Sequence, residues 1–140
     1  MIDLDYFKHV NDTHGHATGD LVLQEVVTIY HDTLSNIDTA ARYGVEEFVI
    51  LLPETDKEGA LLTAERLRQG VEAATIGTLE GPLSITAIFG VASLDIEQTL
   101  TVEKLLDRAD QGLYAAKAAG RNRVMTHEPV SNNKNAERPR

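Results

Sequence analysis

A short turn between two strand-like segments is the feature that most constrains how this chain can fold. Residues 39–43 have strand character, residues 49–52 form a continuous apolar run, and Gly44 lies between them. The pattern predicts a β-hairpin whose tip carries Glu46 and Glu47. Turns are usually polar, so these carboxylates have two explanations, simple solvation or a role in binding a metal ion and a phosphate. The turn alone favours solvation, and the rest of the chain reverses that preference.

The rest of the chain alternates between strand and helix patterns. A hairpin inside such an alternation predicts an α/β (α+β) fold, with a mixed central β-sheet flanked by helices. A capping box at Thr55 and Glu58 predicts a helix start, and Gly120 suits a helix C-terminal cap. Residues 77–82 are predicted as a loop. The predicted strands are residues 1–4, 39–43, 49–52, 83–94 and 123–125, and the predicted helices run over about 20–34, 55–75 and 101–119, with a short helix or turn at 5–12.

Length and composition indicate one globular domain. The chain has 140 residues, 42% of them hydrophobic, which is enough for a substantial core. We expect this domain to span residues 1–126 and the polar residues 127–140 to form a disordered tail. Because a domain rarely begins inside its own core strand, we also expect a segment before Met1 to be missing.

Charge and cysteine content exclude several classes of function. With 13 basic and 22 acidic residues the net charge is −9, which argues against nonspecific nucleic-acid binding. A phosphorylated small molecule remains possible, since it needs only a local basic cluster or a metal. The chain has no cysteine, no apolar run long enough to span a membrane and no signal-peptide pattern. We therefore expect a cytoplasmic domain without membrane contact, although a longer parent protein could be membrane-anchored.

Two acidic residues are candidates for a metal site. Asp3 ends the first predicted strand, and Glu46 is on the hairpin tip. If these strands are neighbours, the carboxylates meet at one edge of the sheet and form a magnesium site with a backbone carbonyl and substrate phosphates. The turn at residues 5–8 would present amides to phosphate oxygens. An aspartate at a strand end is, however, more often simply exposed.

Two further pairs are candidates for nucleotide contacts. Asn11 and Asp20 offer an amide and a carboxylate that together can read a guanine edge. Lys117 and Arg121 lie four residues apart at a predicted helix C-terminus and can clamp terminal phosphates. Each pair also has a structural explanation, as helix caps for the first and as charges favoured by the helix dipole for the second.

Taken in order, these motifs resemble the GGDEF domain of the diguanylate cyclase family. The resemblance extends from residue 1 to about 126 and implies the nucleotidyl-cyclase/ferredoxin-like GGDEF fold. It also implies a reaction in which two GTP molecules are condensed into cyclic di-GMP with Mg²⁺ or Mn²⁺, across a homodimer. The segments that carry it are MIDLDYFK (1–8), NDTHGH (11–16), GD (19–20), RYGVEEF (42–48) and ADQGLYAAKAAGRN (109–122).

The resemblance implies roles for individual residues. Asp3, Glu46 and the Leu4 carbonyl would bind the metal, and Glu46 would also assist deprotonation of the attacking hydroxyl. Asn11 and Asp20 would bind guanine. The residues implied to hold the triphosphate are Tyr6 and Phe7 through their amides, with Lys8, Lys117 and Arg121.

The signature loop departs from the family at one position. It reads Gly44, Val45, Glu46, Glu47, Phe48, with valine where the family has its second glycine. A β-branched residue is strained if φ is positive there, and its methyl groups take space beside the nucleotide. We predict weakened cyclase activity, the alternatives being an inactive GTP-binding regulatory module or a purely structural dimerisation domain.

Two other family features are altered. The product-inhibition motif, Arg-x-x-Asp in the family, has Ser35 and Asp38 at its ends, so the arginine is absent. Arg66 would supply only a secondary contact, and feedback inhibition is expected to be lost. The family's opening helix and the loop before the first strand are also missing, and in relatives they connect to an upstream sensor or receiver domain.

Overall fold

The computed structural model describes residues 1–94 and 99–126, and the predicted polar tail lies outside this range. Four helices and seven strands are found in the described part of the chain. In chain order they are β1 (Ile2–Leu4), α1 (Phe7–His14), α2 (His16–Thr33), β2 (Thr39–Arg42), β3 (Glu47–Leu51), α3 (Lys57–Ala73), β4 (Ile76–Thr78), β5 (Gly81–Leu83), β6 (Ala87–Val91), α4 (Val102–Ala118) and β7 (Arg123–Thr126).

Strand β1 is at the centre of a five-stranded mixed sheet of order β2-β3-β1-β6-β7. It pairs antiparallel with both β3 and β6, whereas β6 and β7 are parallel. The predicted mixed sheet with flanking helices is therefore confirmed. Because β1 lies next to β3, the end of the first strand and the tip of the β2–β3 hairpin are adjacent in space.

Helices cover both faces of the sheet. The larger core is formed by residues of α1, α2 and α3 packed on Ile2, Leu4 and Phe89. On the opposite face, Ile88 packs against α4, so neighbouring residues of β6 face different layers, as the pleat requires. Helix α4 crosses β6 at Gly90, where an added Cβ would lie 2.0 Å from the Ala109 carbonyl oxygen. Glycine at position 90 thus allows α4 to approach the sheet.

Several predicted boundaries are wrong. Helix α2 begins at His16, because Gly15 adopts φ 88° and lets a new helix start directly after α1. The predicted loop at residues 77–82 belongs to a two-stranded hairpin, β4–β5, and the predicted strand at 83–94 is divided between β5 and β6. The α3 cap is Asp56, whose side chain accepts from the Gly59 amide, and Thr55 instead donates to the Pro53 carbonyl.

The turn after α4 matches the prediction. The Gly120 amide donates to the Lys117 carbonyl, and the Arg121 amide donates to the Ala116 carbonyl. With Gly120 at φ 119°, this pattern is a Schellman motif that ends the helix. It turns the chain sharply, so that Lys117 and Arg121 are near the start of β7 and the end of β1.

Candidate active site

The pairing of β1 with β3 brings the candidate metal ligands together. Asp3 is opposite Glu47, and the Leu4 amide donates to the Glu46 carbonyl at 3.2 Å. The pKa of Asp3 is raised to about 6, first by burial and then by the negative charges of Glu46, Glu47 and Asp5, while Lys117 opposes the shift. Acidic side chains from β1 and the hairpin tip therefore share one electrostatic environment.

This cluster suits a hard divalent cation whose remaining ligands come from substrate and water rather than from the protein. Within residues 1–94 and 99–126, no three His, Cys, Asp or Glu side chains converge as a full ligand set. Magnesium is usually bound by one or two carboxylates together with substrate phosphates and water. Asp3 and Glu46, with the Leu4 carbonyl at the end of β1, suit that arrangement, and a cation would relieve the repulsion that raises the pKa of Asp3.

The signature loop is held by Arg42. Its Nε donates to the Gly44 carbonyl at 3.0 Å, and a terminal nitrogen donates to the Val45 carbonyl at 2.8 Å. Neither Gly44 nor Val45 has a positive φ, so the condition for strain at Val45 is not met. The Val45 side chain is 61% exposed, which leaves crowding of a bound nucleotide as its remaining effect.

The turn between β1 and α1 suits phosphate oxygens. Tyr6 adopts a left-handed conformation, with φ 57°, and its side chain does not cap α1. Within residues 1–94 and 99–126 no side chain accepts from the first amides of α1, which are at the positive end of the helix dipole. Phe7 is buried and anchors the turn, whereas Lys8 is exposed beside it.

Two basic residues at or just after the C-terminal end of α4, Lys117 and Arg121, lie near the acidic cluster and the turn after β1. Lys117 is exposed and close enough to Asp3 to lower its pKa. The Arg121 guanidinium is 4.5 Å from the centre of the Tyr6 ring, over its face. The structure thus brings the predicted phosphate contacts next to the acidic cluster.

One predicted guanine contact, Asn11, packs against the helix that carries the other, Asp20. An added Cβ on Gly19 would lie 1.9 Å from Asn11 Oδ1, so this amide packs directly on the α2 backbone one residue before Asp20. The Asn11 oxygen is buried and has no hydrogen-bond partner among the described residues, while Asp20 is exposed. A buried polar atom without a partner is expected to be satisfied by something else, and a base edge would serve.

Gly19→Ala should weaken guanine nucleotide binding by about tenfold, because the new methyl group displaces the Asn11 amide. Isothermal titration with GTP measures the effect. Gly77→Ala is the matched control, since nothing lies within 4 Å of a Cβ there. Equal affinities for Gly19→Ala and the unmodified protein would show that Asn11 does not contact the base.

In the predicted inhibitory motif, the two end residues are hydrogen-bonded to each other. Asp38 Oδ2 accepts from the Ser35 amide at 2.9 Å and from the Ser35 hydroxyl at 2.8 Å. One oxygen of the carboxylate that would remain for a product ligand is therefore used within its own turn. Arg66 is an exposed residue of α3.

Sequence reasoning missed one buried acidic residue, Asp5. It is 2% exposed and is in contact with segments far away in the chain. Nothing in the local sequence separates it from Asp3, because both are acidic residues in the same short segment. Only the packing around the end of β1 reveals the difference.

Comparison with known sequences identifies the family. Residues 1–123 match the sequence profile described as "Diguanylate cyclase, GGDEF domain". Diguanylate cyclase A of Treponema denticola is 44% identical over 124 residues, covering 89% of this chain and 33% of that protein. Response regulator PleD of Caulobacter vibrioides is 43% identical over 127 residues, covering 89% of this chain and 28% of that protein. The chain spans a third or less of the length of these curated relatives.

Solved structures agree with the sequence match. The active GGEEF domain of a diguanylate cyclase from Vibrio cholerae superposes with a TM-score of 0.83 at 34% identity, covering 91% of this chain and 81% of that one. The GGDEF domain of DgcB from Caulobacter crescentus, in complex with c-di-GMP, gives 0.82 at 34% identity, with coverages of 89% and 73%. The nucleotidyl-cyclase fold is confirmed.

Fold and site together define a domain of the nucleotidyl-cyclase class, with an acidic hairpin tip facing a basic cluster. The profile match over most of the chain makes the family plain, and the chain belongs to the GGDEF family. No helix among residues 1–94 and 99–126 is long and apolar enough to cross a bilayer.

Proposed function

We propose that this domain condenses two GTP molecules into cyclic di-GMP, as part of a longer signalling protein. The observation that carries the proposal is the pairing of β1 with β3, which puts Asp3 beside the Glu46 turn. The relatives named diguanylate cyclase and the solved GGEEF domain support it. The signature here differs from GGEEF only at Val45.

The proposed roles are those that the family resemblance implies for these positions. Asp3, Glu46 and the Leu4 carbonyl would hold Mg²⁺ or Mn²⁺, which would neutralise charge on the phosphates and lower the pKa of the attacking 3′-hydroxyl. Glu46 assists removal of the hydroxyl proton. Asn11 and Asp20 hold guanine. The residues proposed to hold the triphosphate are Tyr6, Phe7, Lys8, Lys117 and Arg121.

Each domain would present one GTP, so the reaction requires two domains facing each other. A two-fold homodimer meets this requirement, because it brings the 3′-hydroxyl of each nucleotide towards the α-phosphate of the other. We propose that an upstream sensor or receiver domain controls this encounter, and that the domain acts in the cytoplasm, where GTP is available.

Val45→Gly tests the proposal most directly. We expect the unmodified protein to form cyclic di-GMP slowly, and the glycine variant to form it about tenfold faster, because removing the methyl groups frees space beside the nucleotide. The protein is incubated with GTP and Mg²⁺, and the products are separated by chromatography while GTP binding is titrated in parallel.

Val102→Gly is the matched control, since Val102 is also exposed and starts α4 at the end opposite Lys117. GTP binding without any turnover, in both the unmodified protein and Val45→Gly, would replace the cyclase proposal with a GTP-binding regulatory module. Absence of binding would leave only a structural role.

A further inference from the structure

Asp5 is the only buried charged residue in the described core. Its two carboxylate oxygens differ in their hydrogen bonds. One carboxylate oxygen, Oδ2, accepts from the Thr86 hydroxyl at 2.7 Å and from the Asn122 amide at 3.0 Å. The other, Oδ1, is buried and has no hydrogen-bond partner among the residues that the structure describes. Arg121 forms an ion pair with Asp5, with one guanidinium nitrogen 3.6 Å from Oδ1. A buried carboxylate is costly unless it is paired, so this arrangement needs a reason.

The backbone that Asp5 contacts is itself strained. Arg121 and Asn122 are consecutive non-glycine residues in the left-handed region, with φ 65° and 45°. Such conformations persist only where surrounding contacts impose them, and they concentrate at functional sites. The hydrogen bond from the Asn122 amide to Asp5 is one of these contacts.

A second contact fixes the same turn from the other side. The Asn122 side chain accepts from Arg68 at 2.9 Å through Oδ1 and donates to Glu72 at 2.9 Å through Nδ2. Arg68 is also bonded to Glu65 and Glu72 on its own helix. Asn122 therefore joins helix α3 to the turn that carries Arg121, while Asp5 joins the same turn to β1.

Together these contacts fix the orientation of the Arg121 side chain. The Arg121 guanidinium is covered on one face by the Tyr6 ring and faces Asp5 through one nitrogen. Its remaining N–H groups make no hydrogen bond to residues 1–94 or 99–126. The Arg121 guanidinium, held by Tyr6 and Asp5, therefore keeps N–H donors that can bind phosphate oxygens.

We propose that Asp5 and Asn122 are positioning residues that orient Arg121 for the terminal phosphates of GTP. This inference rests on the proposed function, in which Arg121 contacts the triphosphate. Asp5 holds the guanidinium by charge and the turn by its hydrogen bond, and Asn122 anchors the turn to α3. Neither side chain is assigned a contact with the nucleotide.

The mildest test removes the hydrogen bond from Thr86 to Asp5. Thr86→Val keeps the shape of the side chain but frees Asp5 Oδ2 from one partner, whereas Thr86→Ser retains the hydroxyl. Isothermal titration with Mg²⁺ compares GTP with GMP, which lacks the terminal phosphates. We expect Thr86→Val to lower GTP affinity about fivefold and Asp5→Asn about tenfold, with GMP affinity unchanged and Thr86→Ser near the unmodified value.

Arg121→Ala supplies the second half of the experiment. If Asp5 acts through Arg121, Asp5→Asn should cause no further loss of GTP affinity in the Arg121→Ala background. Thr28→Val and Asp32→Asn are matched controls, because both residues are exposed on α2. Urea unfolding of each variant accompanies the titrations, and Thr86→Val keeps the test valid if Asp5→Asn fails to fold.

The outcomes separate the two proposals. Additive losses in the double variant, equal losses for GTP and GMP, or tighter GTP binding by Asp5→Asn would overturn the positioning role while leaving the proposed function intact. Failure of the unmodified protein to bind GTP would overturn both. Selective loss for GTP that vanishes without Arg121 would support the positioning role.

Discussion

Replacing Glu46 with glutamine should reduce cyclic di-GMP formation by about a thousandfold or more without unfolding the domain. Glutamine keeps the size of the side chain but removes the charge proposed to hold the divalent cation. The fold should tolerate the change, because Glu46 contacts β1 through its backbone carbonyl, which accepts from the Leu4 amide at 3.2 Å. Initial rates from chromatographed products, with GTP and Mg²⁺ in excess, measure the effect.

Glu25→Gln on α2 is the matched control and should retain the full rate. Circular dichroism and urea unfolding establish that the two variants are equally folded. A Glu46→Gln rate within a few fold of the unmodified protein would mean that the hairpin carboxylate does not take part in catalysis. The metal-site assignment would then fail, while family membership would stand on the sequence and fold matches.

Asp3→Asn should have opposite effects on turnover and on stability. We expect a loss of turnover similar to that of Glu46→Gln, because the second proposed metal ligand is removed. In the absence of divalent cations, however, the variant should be more stable near neutral pH. Burial and the neighbouring carboxylates raise the pKa of Asp3 from 3.8 to about 6 in the folded protein, which means that folding disfavours its charged form.

The pH dependence follows from that shift. Between about pH 4 and pH 6 the folded state binds more protons than the unfolded state, so the unmodified protein loses stability as the pH rises through this window. Above about pH 6 the ionised Asp3 lowers the stability of the folded protein by its full amount. Asp3 is only half-buried, so we discount the full shift and expect Asn to gain about 1 kcal/mol near pH 7.5 and almost nothing near pH 4.

Urea unfolding in a metal chelator at the two pH values measures this difference, with Asp32→Asn as the control. Adding Mg²⁺ should stabilise the unmodified protein and leave Asp3→Asn nearly unchanged, since the cation favours the charged form that the variant lacks. A variant that is less stable at both pH values would show that Asp3 is not under electrostatic strain.

The hairpin and the mixed sheet were predictable because they depend on local chemistry and on the order of elements. Gly44 with its flanking strands predicts the turn, and the alternation of elements predicts a mixed sheet. The helix end at Gly120 was predicted from the preference of glycine for a left-handed cap, and the Schellman hydrogen bonds confirm it.

Other boundaries were not predictable from local preference. The β4–β5 hairpin was predicted as a loop, because Gly77, Gly81 and Pro82 are poor strand formers. It forms nevertheless, since Ile76 at its start is buried in the main core. At Val45 the sequence left two possible penalties, and only the backbone conformation showed that strain is not one of them.

The sequence by itself determined which residue types are present for nucleotide chemistry and in which order, because those depend on motifs of a few residues. The tertiary structure alone decided which acidic residue is enclosed and which remains partly open. Asp3 is half-buried near Glu46, whereas Asp5, two positions later, is enclosed and tied to Thr86, Asn122 and Arg121. The distinction depends on contacts between Asp5, just after β1, and segments more than 80 residues away, which no local pattern contains.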